Sequence, residues 1–132
     1  MAGELILIIE DNDKNLKLVR DVLQFNGYET AEAMTAEDGL ILARSQHPTL
    51  ILLDIQLPGM DGFAALRQLR ADPITKSTQV MAVTASAMEQ DRKKILEAGF
   101  DGYMTKPINV KKFTEEIRTV LASDRGMRRP QP

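Results

Sequence analysis

The chain has 132 residues, 43% hydrophobic and 27% charged, which suits one soluble globular domain large enough to bury a core. A formal charge of -2 gives no electrostatic ground for binding nucleic acid or anionic lipid, and with no cysteine neither a disulfide framework nor a thiolate metal site can form. The longest apolar runs are about five residues, against about 20 for a membrane-spanning helix. Met1-Ala2-Gly3-Glu4 leads straight into a strand-like run with no secretory signal, so a cytoplasmic protein is expected.

The first run, Leu5–Ile9, is continuous rather than alternating, as in a strand covered on both faces, and it closes on Glu10-Asp11. Leu16, Val19 and Leu23 then recur at helical spacing until Asn26-Gly27 stops the helix. A weaker run, Tyr28–Ala33, predicts a second strand. His47-Pro48 precedes the third, Leu50–Leu53, which ends on Asp54. The fourth, Val80–Val83, is followed by Thr84-Ala85, and Ala98-Gly99 ends the fourth helix. Gly102–Met104 predicts the fifth strand, with Lys106-Pro107 after it, and Phe113, Ile117, Val120 and Leu121 mark the last helix. About five βα units follow, and right-handed crossovers place helices on both faces of a parallel sheet. The folded domain is expected over residues 4–122. Residues 123–132, with Arg125, Arg128, Arg129 and two prolines, read as a flexible tail, solvated or in contact with an acidic partner.

In open α/β sheets, sites form at the carboxyl ends of the strands, where strand order reverses. Taken singly, the residues there have ordinary explanations. Glu10-Asp11 can open a helix with Asp11 or Asn12 as N-cap, Asp54 can serve a turn, Thr84 fits β-propensity, and Lys106 fits a solvated loop. Their coincidence at four strand ends is harder to dismiss. Grouping Glu10, Asp11 and Asp54 is unfavourable alone, because like charges oppose ionisation. A divalent cation removes that penalty, and oxygen-only ligands at a small, partly hydrated site favour Mg²⁺. A metal-bound carboxylate exposed at the rim can then act as a nucleophile, with Lys106 and Thr84 supplying donors for phosphoryl oxygens.

With these residues in place the sequence resembles bacterial response-regulator receiver domains over about Leu5 to Leu121. The matching segments are Ile8-Ile9-Glu10-Asp11-Asn12, Leu53-Asp54-Ile55-Gln56-Leu57-Pro58-Gly59-Met60-Asp61-Gly62, Val83-Thr84-Ala85 and Gly102-Tyr103-Met104-Thr105-Lys106-Pro107. It is similar in particular to the single-domain, DivK-type receivers, on Glu10-Asp11-Asn12, Asp54-Ile55-Gln56-Leu57-Pro58 and Lys106-Pro107-Ile108. The resemblance implies a flavodoxin-like (βα)5 single domain of strand order 2-1-3-4-5. Asp54 would accept a phosphoryl group from a phosphohistidine on a sensor histidine kinase or histidine phosphotransfer protein. Asp11, Asp54 and the backbone carbonyl of Gln56 would hold Mg²⁺ directly, with Glu10 acting through water. Thr84 and Lys106 would bind the phosphoryl oxygens, Tyr103 would move inward with Thr84, and Lys106-Pro107 would be a cis peptide. Output would be protein contact at the surface of helix 4, strand 5 and helix 5. Glu10 departs from the aspartate that most receivers carry there, and an output domain is not expected.

His47, the sole histidine, is read as a surface loop residue, so a partner must supply the phosphohistidine. The seven methionines are expected to be mostly core or gap-filling. The first helix carries a second apolar line, Leu18, Val22 and Phe25, beside its core stripe. This is either a widely buried helix or, through Asn15, Leu18 and Val22, a docking face for the phosphodonor. Two rival functions have specific requirements. A haloacid-dehalogenase-type phosphatase expects a second Asp two positions after the nucleophile, where Gln56 stands, and cap segments. A flavin-binding electron carrier expects a Ser/Thr/Gly-rich phosphate loop where Asn12-Asp13-Lys14-Asn15 stands.

Overall fold

The computed structural model describes residues 3–86 and 88–123. Five strands and five helices alternate: β1 (Leu5–Ile9), α1 (Asp13–Phe25), β2 (Glu29–Ala33), α2 (Ala36–Gln46), β3 (Leu50–Asp54), α3 (Gly62–Ala71), β4 (Gln79–Thr84), α4 (Glu89–Ala98), β5 (Gly102–Thr105) and α5 (Val110–Ala122). All strand pairs are parallel and the sheet order is β2-β1-β3-β4-β5, the doubly wound arrangement expected. Ser123 is the C-cap of α5; residues 124–132 of the expected tail lie outside the described residues. Among the described residues no helix is long and apolar enough to cross a membrane.

Successive side chains of a strand point to opposite faces, which is why the central runs are apolar without a break. Ile6, Ile8, Leu50, Leu52, Met81 and Val83 pack with α1 and α5 through Leu16, Val19, Leu23, Phe113, Ile117 and Val120. The alternate residues Leu7, Ile9, Ile51, Leu53, Val80 and Ala82 pack with α2, α3 and α4, through Ala43, Leu66, Leu69 and Ile95. β2 lies at the sheet edge and buries only Ala33 fully, so its sequence signal is weak.

Helix starts follow cap chemistry. Asn12, Thr35, Asp61 and Asn109 each accept the N–H three residues on, at Asn15, Asp38, Ala64 and Lys112. Asn12, rather than Asp11, is therefore the N-cap of α1, which leaves the Asp11 carboxylate uncommitted to that role. α4 begins differently, at Met88, with no side-chain cap hydrogen bond. His47 is the exposed left-handed C-cap of α2, with φ 51. Gly62 opens α3 against β3. Its N–H donates to the Ile55 carbonyl at 3.0 Å, and a Cβ there would stand 2.7 Å from the Ile55 Cα. Only glycine lets this turn lie so close to the residue that follows Asp54.

Candidate active site

β1 has β2 on one side and β3 on the other, so chain order reverses beside it and a crevice opens above the ends of β1 and β3. Glu10 follows β1 and Asp54 ends β3; they are 4% and 2% exposed, while Asp11 faces solvent. One carboxylate oxygen from each of these three residues lies within 4.8 Å of the others. Such a group of oxygens, two buried and one wet, fits a hard divalent cation that keeps part of its water shell.

Lys106 enters the same crevice from the far strand. Its Nζ stands 3.0 Å from Asp54 Oδ2, 3.1 Å from Glu10 Oε1 and 3.3 Å from Glu10 Oε2. Its backbone N–H donates to the Thr84 carbonyl at 2.8 Å, and the Lys106–Pro107 peptide is cis. Gln56 N–H donates to Asp54 Oδ1 at 2.9 Å, so each Asp54 oxygen has one donor. Burial, and then the neighbouring Asp54 charge, push the Glu10 carboxyl above its ordinary value; Lys106 and the Asn12 N–H oppose this without cancelling it. Burial acts to lower the Lys106 pKa, but hydrogen bonds and charges from Asp54 and Glu10 outweigh it and hold the ammonium above its ordinary value. Three carboxylates face one ammonium, so the crevice still favours a further cation.

The remaining sequence-predicted residues are less tightly gathered. Thr84 is buried at the end of β4, one residue beyond the Val83 that pairs with Asp54, and its Oγ1 accepts the Ser86 N–H at 3.1 Å. Tyr103 pairs with Ala82 deeper in the sheet and lies half-buried, with the Arg92 guanidinium 5.9 Å from its ring centre. On α1, Asn15 shares a cavity of about 10 Å³ with Glu10, Lys106 and Ile108, room for about one water. Farther along α1, Leu18 is 37% exposed, Val22 rests partly on the core and Phe25 is 90% exposed, so the second apolar line does reach solvent. Ser86 and Asp91 belong to the surroundings of Thr84 but were not singled out in the sequence. An acidic residue in the first turn of a helix is ordinary there.

This fold and crest, a parallel doubly wound domain with carboxylates, a hydroxyl and an ammonium converging from separate strands, define a receiver module of two-component signalling. Residues 6–118 match the family described as the response regulator receiver domain, and the chain belongs to that family. It is 42% identical over 116 residues to the polar-differentiation response regulator DivK of Brucella ovis, covering 88% of this chain and 94% of that protein. It is 41% identical over the same length to the DivK of Brucella anthropi. Among solved structures it is similar to the receiver domain of a Pseudomonas aeruginosa sensor histidine kinase, at 30% identity and a TM-score of 0.84, covering 92% of this chain and all of that one. That crystal structure has a magnesium ion coordinated in its active site cleft. A CheY-like receiver domain protein from Methanospirillum hungatei is 31% identical with a TM-score of 0.82, covering 92% and 95% of the two chains. Neither the phosphatase nor the electron-carrier alternative is favoured.

Lys106→Met should reduce stability by about 3 kcal/mol, because it leaves two buried carboxylates facing each other without their shared cation. In an Asp54→Asn background the same change should cost less. Urea denaturation in chelator tests both statements, and equal costs in the two backgrounds would show that Lys106 does not act through Asp54.

Proposed function

We propose that the chain is a phosphorylation-controlled binding module in which Asp54 receives a phosphoryl group from a phosphohistidine on a histidine kinase or histidine phosphotransfer protein. The observation that carries this reading is the Asp54 carboxylate itself, buried at a strand end with Lys106 on one oxygen and the Gln56 N–H on the other. In the transfer an Asp54 oxygen bonds to phosphorus as the phosphorus–nitrogen bond breaks, and the imidazole nitrogen leaves with the electron pair. Asp11, Asp54 and the Gln56 carbonyl would hold Mg²⁺, with Glu10 acting through water; the ion would neutralise charge on the phosphoryl oxygens. Lys106 would move from carboxylate to phosphoryl oxygen with its charge intact, and the Thr84 hydroxyl would donate its one proton to another. The acyl phosphate so formed is open to attack by water, so the signal ends without a second enzyme.

Phosphorylation adds close to two negative charges at pH 7, enough to redraw nearby hydrogen bonds. Tyr103 would follow Thr84 inward, changing the surface of α4, β5 and α5, where a downstream protein binds. The donor would dock on Asn15, Leu18 and Val22; the exposure of Leu18 and the cavity that Asn15 shares with Glu10 and Lys106 support this face. No nucleic acid or membrane has a role in this scheme, which runs in the cytoplasm. The folded unit spans 4–122.

Incubation with acetyl phosphate and Mg²⁺ should add one phosphoryl group by intact mass, and Asp54→Asn should abolish it. No adduct, or an adduct that persists in the variant, would sink the proposal. Leu18→Glu should slow transfer from a phosphohistidine donor at least about tenfold, the effect of a lost anchor of roughly 1.4 kcal/mol. Phosphorylation by acetyl phosphate should keep its rate, and equal loss with both donors would point to misfolding instead.

A further inference from the structure

Thr84 is connected to α4 by a short chain of hydrogen bonds. Its Oγ1 accepts the Ser86 N–H at 3.1 Å, and the Ser86 hydroxyl donates to Asp91 Oδ2 at 2.5 Å. That hydroxyl also accepts the Met88 N–H at 3.3 Å, so its proton and one of its lone pairs are engaged. Ser86, Asp91 and Arg92 are all half-buried.

The ordinary explanation of Asp91 is an acid placed in the first turn of α4 to complement the helix dipole, as Glu89 also is. Two details go beyond it. The other four helices start on a side chain that caps their own first turn, whereas α4 starts at Met88 without one. Its start is tied down instead by Asp91 reaching back to Ser86, two residues before the N-cap. Ser86 in turn is the residue whose N–H occupies a lone pair of the Thr84 hydroxyl and leaves the proton of that hydroxyl to be donated. The same helical turn carries Arg92, whose guanidinium lies over Tyr103.

We infer that Asp91 is a positioning residue for Thr84, acting through Ser86, and that this link joins the first turn of α4 to the phosphoacceptor site. The inference rests on the proposed phosphorylation of Asp54. Without the bond to Asp91, the Ser86 hydroxyl keeps only the longer bond from the Met88 N–H, and the donor that orients the Thr84 hydroxyl is held less firmly. α4 likewise loses the connection through which a movement of Thr84 would reach it.

The test is a double-mutant cycle on the rate of phosphorylation by acetyl phosphate with Mg²⁺, read by intact mass. Asp91→Ala should slow the reaction about two- to tenfold, the range that one hydrogen bond of ordinary strength gives. Asp91→Asn, whose amide oxygen still accepts the Ser86 hydroxyl, should restore most of the rate. In a Thr84→Ala background Asp91→Ala should have no further effect. An undiminished effect in that background, or a failure of Asp91→Asn to rescue, overturns the positioning role. An unchanged rate in Asp91→Ala alone also overturns it. A wild-type chain that takes up no phosphoryl group fails the proposed function instead, and with it the inference. As a readout that a merely structural role does not move, backbone amide signals of residues 89–98 should shift on phosphorylation in the wild type and stay near their unphosphorylated positions in Asp91→Ala. Equal shifts in both chains overturn the coupling to α4.

Discussion

Two carboxylates buried side by side at the crest of a sheet are unstable neighbours, and the site is organised around how this chain tolerates them. Glu10 and Asp54 share a single ammonium, Lys106, which reaches both from the end of the edge strand β5. That bridge offsets part of the repulsion but not all of it, since the Glu10 carboxyl is still held above its ordinary value by burial and by Asp54. With Asp11 adding a third carboxylate from the solvent side, the crevice favours a divalent cation, and a cation there suits the arrival of a phosphoryl group.

The fold makes this juxtaposition possible at low conformational cost. β1, β3 and β4 are buried on both faces, so a slip in register would draw the polar residues at their ends into the apolar layers. Their carboxyl ends therefore present Glu10, Asp54 and Thr84 as fixed points. The close approach of Gly62 to Ile55 holds the loop after Asp54, and the bond from the Lys106 N–H to the Thr84 carbonyl holds the loop after β5. The opposite end of the sheet is fastened separately. There Arg70 donates to the Thr78 carbonyl at 2.6 Å and to the Asp101 carboxylate at 2.9 Å, while Asp101 accepts the Val80 N–H at 2.8 Å. Rigidity below and polar convergence above are complementary requirements of one switch.

Much of this could be read from the sequence, for identifiable reasons. Continuous apolar runs such as Leu50–Leu53 can be seen because both strand faces are buried, and the chemical residues stand out because they interrupt apolar surroundings just where strands end. β2 was fainter because an edge strand half in solvent does not need an apolar face. The choice between Asp11 and Asn12 as the α1 cap depended on side-chain geometry, and the structure assigns it to Asn12. Asp91 and Ser86 could not be read, since an acid in a helix first turn and a loop serine are unremarkable until the loop path brings them together. Nor could Arg70 and Asp101, which are 31 residues apart and meet only through the sheet.

If the acidic crest is a cation site that serves Asp54, Mg²⁺ must stabilise the folded chain through those carboxylates. Thermal unfolding in Mg²⁺ and in chelator is the direct measurement. Mg²⁺ at ten times its dissociation constant should add about 1.4 kcal/mol and raise the Tm accordingly, with the rise lost in Asp11→Asn and in Asp54→Asn. The same Tm with and without Mg²⁺, or a rise that survives both substitutions, would contradict the account.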